Sequence, residues 1–489
     1  MFSWKRKKER QNKNMDGKTE AAPQLEPFAV QIERIRRKRL LAAQSPGADE
    51  VFGASSHRYR LNEPLTHAEL DTLEQEWGVT LPEDFAAFVT AVGNGGPGSY
   101  GGAGPYYGIY AVDEMDPDPV RLRQPAKLKP DRSWDAGEPA DPSVWNEDLD
   151  DDAYDEALSD LMRGTLTIGT MGCSSEMLLI VSGEHRGRVV YLDTEYLKPF
   201  FVYEKNFLDW YERWLDEVIA GFKVHWFATT PGGGEAELLT LAQTSEYAAQ
   251  RGEALKSLLR FPKLGNPAIA FAKQAVDGDP SDQVRYWALT LLAAHAPDSA
   301  DPILLEDLGS EQADKRKAAV QLIHWYRKQA ARAFAETLQA TVSEETDEET
   351  FRFATYILES ADIEPLPLLL PAFRSPAAEI RKSAIWQAGK SRRKADYVED
   401  FVGILLHDPE VSVRLTAIQA LEGVTDPRLL PAYEHMLERY PTDEHYIRGN
   451  VRHRLIEYRF HTHQKIERGV PADLTRVRGM LRDLMEAHR

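Results

Sequence analysis

The chain has 489 residues, a formal net charge of -19 and one cysteine, Cys173. Its length allows two to four domains, each able to bury a core. The acidic balance argues against a protein that coats nucleic acid and favours a basic partner, and a lone cysteine excludes an intrachain disulfide and an all-cysteine metal site.

No apolar run approaches the roughly 20 residues that span a bilayer. The basic start at Lys5, Arg6, Lys7 and Lys8 is followed by no hydrophobic stretch of the secretory kind, so a cytoplasmic protein is expected. Residues 1–50 are basic overall, with Arg34, Arg36, Arg37, Lys38 and Arg39 beside Ile32, Ile35, Leu40 and Leu41. The expectation is a solvated, partly disordered leader. A weaker reading is a basic amphipathic helix over 28–43 that touches anionic lipid or an acidic partner.

An α+β domain is expected over 58–222. Thr66 and Glu69 form a capping box with Leu65 and Leu70 as its flanking staple. Leu70, Leu73 and Trp77 share one helix face, and Gly78 suits a left-handed helix end. Pro82 fits the first position of a second helix, Glu83 and Asp84 complement its dipole, and Phe85, Phe88, Val89 and Val92 make its apolar stripe before Gly93. The glycine-rich run from Gly93 to Gly104 lacks the Gly-Lys-Ser/Thr ending of a phosphate loop, so a mobile connection is expected.

From 113 to 163 the charge turns acidic. Glu147, Asp148, Asp150, Asp151, Asp152, Asp155, Glu156 and Asp160 occur without a basic residue among them, interleaved with Trp145 and Tyr154. This insertion reads either as a solvated loop or as a docking face for a basic partner. Gly164 to Thr170, Met177 to Val181 and Arg188 to Leu192 read as strands. Asn206 caps a last helix, Phe207 to Ile219, whose inward face carries Phe207, Trp210, Trp214, Leu215 and Val218. The glycine-rich 229–235 reads as a linker.

The order Leu73-Glu74, Trp77-Gly78, Leu81-Pro82, Asp84-Phe85, Phe88 and Asn94-Gly95-Gly96 resembles the start of the SUKH superfamily, also called the Smi/Knr family. The later strands and closing helix are similar to that family's α+β fold. Where many relatives carry Gly-Asp before a strand, this chain has Gly172-Cys173-Ser174-Ser175-Glu176. The resemblance implies a non-enzymatic, protein-binding role, because the superfamily includes bacterial immunity proteins that neutralise toxins and fungal interaction hubs.

Residues 236–462 carry a repeat. Asp279-Pro280 precedes Val284-Arg285, Ser375-Pro376 precedes Ile380-Arg381, and Asp408-Pro409 precedes Val413-Arg414, with weaker copies centred on Arg316, Arg352 and Arg448. The pattern resembles short HEAT-type helical repeats. Asp or Ser is expected to cap the second helix of each pair, with Pro in its first turn. Ala288, Ala319, Ala384 and Ala417 allow close helix packing. Arg285, Arg381 and Arg414 are candidates for a ligand-binding row on the repeat face, or for a ladder with neighbouring Asp residues and carbonyls. Residues 463–489 are expected to end in a capping helix.

The fold expected is thus an α+β domain joined to an all-α solenoid. The chain suggests no catalytic residue, cofactor or metal site: His453, His461 and His463 lack completing ligands, and Ser174 and Ser175 do not sit in a Gly-x-Ser-x-Gly elbow. The leading expectation is an immunity-type protein that sequesters a basic toxin, such as a nuclease, through Asp150, Asp151, Asp152, Asp155, Trp145 and Tyr154, with Glu74 open between helix support and partner contact. The alternative is a scaffold or assembly adaptor that holds two cellular proteins. An enzyme acting near Gly172 to Glu176 is the third class.

Overall fold

The computed structural model describes residues 27–96, 101–130, 150–442, 446–461 and 474–488. Contacts divide the chain into two compact units, residues 1–268 with 280–287, and residues 269–279 with 288–489.

The first unit begins earlier than the sequence suggests. Residues 29–42 form helix α1 (Ala29–Ala42), whose Ile32, Ile35 and Ala42 are buried. Its basic face meets α5 (Phe207–Ile219), where Arg34 Nε and Nη2 donate to Glu212 at 2.6 and 2.7 Å. Lys38 Nζ donates to Glu212 at 2.8 Å and to Asp216 at 2.7 Å. The described part of the expected leader is therefore integral to the fold: Ile32 and Ile35 lie against protein, while Leu40 and Leu41 are 58% and 49% exposed. Burial pushes the Glu212 carboxyl up, but hydrogen bonds from Arg34 and Lys38 prevail and hold it at about 2.

Helices α2 (His67–Trp77) and α3 (Glu83–Ala91) follow the local signals closely. The Thr66–Glu69 capping box is formed, and Gly78 ends α2 at φ 69°. Pro82 stands at the N-cap of α3, one position before its first helical residue.

Four strands make an antiparallel meander in the order β1 (Thr165–Gly172), β2 (Ser175–Ile180), β3 (Val189–Asp193) and β4 (Lys198–Phe201). Leu178 pairs with Val190, and Val190 with Phe201. The unbroken apolar run Met177 to Val181 is explained by burial on both faces. Met177, Leu179 and Val181 join Phe85, Phe88, Trp210 and Trp214 in the main core. Leu178 and Ile180 point the other way, to a smaller core that α4 (Asp151–Leu161) covers with Leu161, Leu158, Ala157 and Tyr154. Strand β4 was not among the expected strands, because Pro199 argues against a ladder; it is tolerated on this edge strand.

The glycine run is no slack connection in its described part. Gly96 N donates to Ile109 O at 2.9 Å, and Gly102 and Ile109 exchange hydrogen bonds at 2.7 and 3.0 Å. At Gly95, φ is 51° and a Cβ would strike the Tyr110 carbonyl, so only glycine fits there.

Residues 229–235 are likewise pinned. The Pro231 carbonyl accepts Ser257 Oγ at 2.6 Å and Arg260 Nη1 at 2.9 Å, and Gly233 O accepts Arg260 Nη2 at 2.9 Å. Arg213 reaches Glu204 at 2.6 Å and Glu217 at 2.7 Å, and Glu217 also pairs with Arg260 at 3.1 Å, all four side chains being nearly dry. This network attaches the hairpin α6 (Glu235–Thr244) and α7 (Ala248–Leu258) to the α+β part, and it moves the boundary past the expected 236.

Helices α8 (Asn266–Gly278) and α9 (Asp282–His295) carry the chain from the first unit into the second. The second unit is helical throughout its described residues. Helices α10 (Pro297–Leu308), α11 (Ala313–Tyr326), α12 (Ala335–Glu344), α13 (Glu348–Ser360), α14 (Ala378–Lys390), α15 (Val398–His407), α16 (Val411–Ala420), α17 (Leu429–Arg439), α18 (Ile447–His461) and α19 (Leu474–Ala487) stack in two layers. One layer is the row α11, α13, α14, α16, α18; α15, α17 and α19 pack in sequence in the other. Ala319, Ala384 and Ala417 are fully buried where helices approach. Helix α19 presents Val477, Leu481 and Leu484 to the end of the stack; residues 463–473 of the expected cap lie outside the described residues.

Candidate functional site

Each polar side chain of the opening motif is committed to backbone. Glu74 Oε1 accepts the Leu81 N–H at 2.7 Å, bracing the turn between α2 and α3, and burial raises its carboxyl above the ordinary range. Asp84 is buried, and its Oδ2 accepts the Leu208 N–H at 3.1 Å, so α3 caps the first turn of α5. Asn94 Oδ1 accepts the Val112 N–H at 2.8 Å while its Nδ2 donates to Asp113 at 2.6 Å. Leu208 lies 124 residues from Asp84 and Val112 18 from Asn94, so local spacing gives no signal for them, whereas Leu81 is only 7 residues from Glu74. The motif thus holds α2, α3, α5 and the start of the acidic insertion in place.

The described end of that insertion is a helix. Asp150 Oδ1 accepts the Ala153 N–H at 2.9 Å as the N-cap of α4. Tyr154 turns inward, and its hydroxyl donates to Thr194 O at 2.5 Å. Asp151, Asp152, Asp155 and Glu156 lie on the opposite side and are exposed. Asp160 is neutralised by Lys127 at 2.7 Å and by Arg163. The result is a rigid helix, pinned to the sheet by its apolar stripe, which shows four carboxylates to solvent. Trp145 lies outside the described residues. Tyr154, Ala157, Leu158 and Leu161 stand at helical spacing, a signal available in the sequence that the density of charge obscured.

Gly172 to Glu176, the candidate for chemistry, is the tight turn between β1 and β2, with Gly172 at φ 97° and Cys173 at φ 50°. Cys173 is exposed, and Ser174 Oγ donates to Asp193 at 3.3 Å. Among the described residues no group of three or more His, Cys, Asp or Glu is placed to hold a metal. His453 is exposed, and His463 lies outside the described residues.

The repeat arginines act on loops. Arg381 Nε and Nη2 bind Asp408 at 2.7 and 2.9 Å, while its Nη1 returns to Ser375 O at 2.8 Å. Arg414 Nε donates to Asp408 O at 2.6 Å. Arg316 repeats the arrangement, with Glu345 at 2.8 Å and Ser310 O at 2.9 Å. Arg381 and Arg414 are buried, whereas Arg285 on α9 is half-buried. Asp408 and Ser375 do not cap their helices as expected: each stands three residues before the first helical residue and accepts an N–H two positions ahead, Glu410 at 2.9 Å and Ala377 at 3.3 Å. The prolines therefore precede the helices.

No curated protein matches the chain. Among solved structures, the X-ray structure of the Escherichia coli protein YibA is 17% identical over 51% of this chain and 93% of that one, at a TM-score of 0.36 that is too low to support an argument about fold. The family model of SMI1 / KNR4 (SUKH-1) matches residues 64–213, the stretch that contains α2, α3, the sheet and most of α5. The chain therefore carries a SUKH-1 domain of the SMI1 / KNR4 family, a family with protein-binding roles that include immunity, followed by a helical-repeat region.

Proposed function

We propose that this is a cytoplasmic immunity-type protein that binds and neutralises a basic toxin domain, a nuclease being the best chemical fit. The observation that carries the reading is the outward face of α4, where Asp151, Asp152, Asp155 and Glu156 are exposed on a helix fixed to the sheet. Fixed carboxylates cost little ordering entropy on binding, speed encounter with a basic surface and occupy a site shaped for phosphate. Asp84 and Asn94 of the opening motif are buried and used internally, whereas Glu74 is half-buried. Asp150 contributes as the cap that holds the helix start, and Tyr154 as its anchor. On this reading the protein is not an enzyme and binds no nucleic acid directly.

The test is growth protection. The genes flanking this one are searched for a basic toxin domain, which is expressed with the full chain, and survival is compared with the quadruple variant Asp151→Asn, Asp152→Asn, Asp155→Asn, Glu156→Gln; the absence of any such gene counts against the reading. Protection by the parent and loss in the variant support the reading. Full protection by the variant refutes the assigned surface, and no protection by the parent refutes the function.

A further inference from the structure

Helix α1 has two sides of different chemistry. The inner side is committed to the fold: Ile32 and Ile35 are buried, and Arg34 and Lys38 pair with Glu212 and Asp216. Arg36 and Arg39 donate to the carbonyls of Ala91 at 2.8 Å and Tyr59 at 2.9 Å. The outer side carries Val30, Arg37 and Leu41 at spacings of seven and four residues, which align them over about three turns, with Leu40 beside them. Val30 is 75% exposed, and Leu40 and Leu41 are about half in water. Arg37 is exposed and has no partner among the described residues, while Glu33, the acid on this side, lies 3.6 Å from Arg36.

The chain that leads into α1 supplies the charge. Residues 1–8 read Met-Phe-Ser-Trp-Lys-Arg-Lys-Lys, four consecutive cations with no acid among them and with Phe2 and Trp4 close by. Residues 9–26 are near balance, with Arg10, Lys13 and Lys18 against Glu9, Asp16, Glu20 and Glu26, so they leave the cluster uncancelled. At about 3.3–3.6 Å per residue this spacer reaches at most about 60 Å, enough for the cluster and the outer side of α1 to meet one surface. Cations beside aromatic rings and exposed leucines are matched by a lipid interface, where phosphates take the charge and the acyl boundary takes the apolar groups.

We propose that α1 and the segment before it bind the surface of an anionic lipid bilayer, with the cations at 5–8 and Arg37 on the headgroups and Trp4, Leu40 and Leu41 at the acyl boundary. One weak anchor gives only marginal, reversible attachment; two on one chain reinforce each other, because the first contact raises the local concentration of the second. Nucleic acid would neutralise the cations but offers Val30, Leu40 and Leu41 no apolar phase. The acidic remainder of the chain tolerates the contact, because repulsion is largely screened beyond about 8 Å at physiological salt. The proposal does not rest on the toxin reading, which concerns α4.

Sedimentation of the full chain with sucrose-loaded vesicles tests it, with phosphatidylcholine alone and with an equal mixture of phosphatidylcholine and phosphatidylserine. Labelled polyglutamate and oligothymidylate are the soluble anionic probes. One variant is Lys5→Gln, Arg6→Gln, Lys7→Gln, Lys8→Gln; the other is Leu40→Gln, Leu41→Gln, with Arg37→Glu in its place should its melting curve shift. The mixed vesicles are expected to carry the chain down and phosphatidylcholine to leave it in solution, with binding about tenfold weaker in each variant and falling as salt rises. Four results overturn the proposal: no binding to mixed vesicles, equal binding to phosphatidylcholine, binding unaffected by either variant, or binding of polyglutamate or oligothymidylate that is lost with the leucines.

Discussion

Arg381 and Asp408 form a two-bonded ion pair, Nε to Oδ2 at 2.7 Å and Nη2 to Oδ1 at 2.9 Å, with side chains only 8% and 3% exposed. The pair joins the first turn of α14 to the loop that starts α16, and Arg414 holds the same loop through the Asp408 carbonyl. Removing one buried partner leaves the other charge uncompensated, at a cost of about 3–5 kcal/mol. Asp408→Asn is therefore expected to lower the denaturant midpoint of the second unit strongly. The double variant Arg381→Leu, Asp408→Leu should lose less than Asp408→Asn alone; a larger loss would contradict this role.

His57 is buried beside Tyr59 and Trp214, and its Nδ1 accepts the Tyr59 N–H at 3.0 Å. Burial lowers its pKa from 6.5 to about 4. The unfolded chain takes up the proton first, so stability is fully present above about pH 6.5 and declines as the pH falls toward 4. Urea melts across that range should show this slope in the parent and a flatter one in His57→Asn, which keeps an acceptor without the titration.

Glu212 titrates in a lower window, with the opposite chemistry. Its folded pKa of about 2 lies below the ordinary 4.5, so its stabilisation is present above about 4.5 and is lost as pH falls toward 2. Glu212→Gln should cost about 1.5–3 kcal/mol at neutral pH, the range for hydrogen bonds to charged groups. Limited proteolysis should then cut first within 29–42, because Arg34 and Lys38 lose their common partner. Unchanged protease resistance would mean that Ile32 and Ile35 alone retain α1.

Gly95→Ala tests the packed glycine crossing. A Cβ there meets the Tyr110 carbonyl, and φ is already positive, so the variant should be destabilised by about 1–3 kcal/mol with reduced near-ultraviolet dichroism. A stable Gly95→Ala protein would show that this crossing yields easily.

Legibility followed the range of the interaction. The Thr66–Glu69 box, the Gly78 helix end, the Asn206 cap and the span Phe207–Ile219 depend on residues within a few positions of one another, and the structure has them as read. Asp84 with Leu208 and Glu217 with Arg260 need the tertiary fold before they can meet, and spacing alone does not show them. Charge misled twice. The basic 29–42 reads as part of a leader because its acidic counterpart on α5 lies some 180 residues away, and the acidic insertion 113–163, open between a solvated loop and a docking face, ends in a helix that Tyr154 and Leu158 anchor.

The central claim, that α4 is the surface a basic partner takes, is tested most directly by hydrogen exchange on the full chain with and without a basic toxin domain against which the chain protects. Slower exchange over 150–160, abolished by the quadruple neutralisation of Asp151, Asp152, Asp155 and Glu156, is the expected result. Complex formation with exchange over 150–160 unchanged would contradict it.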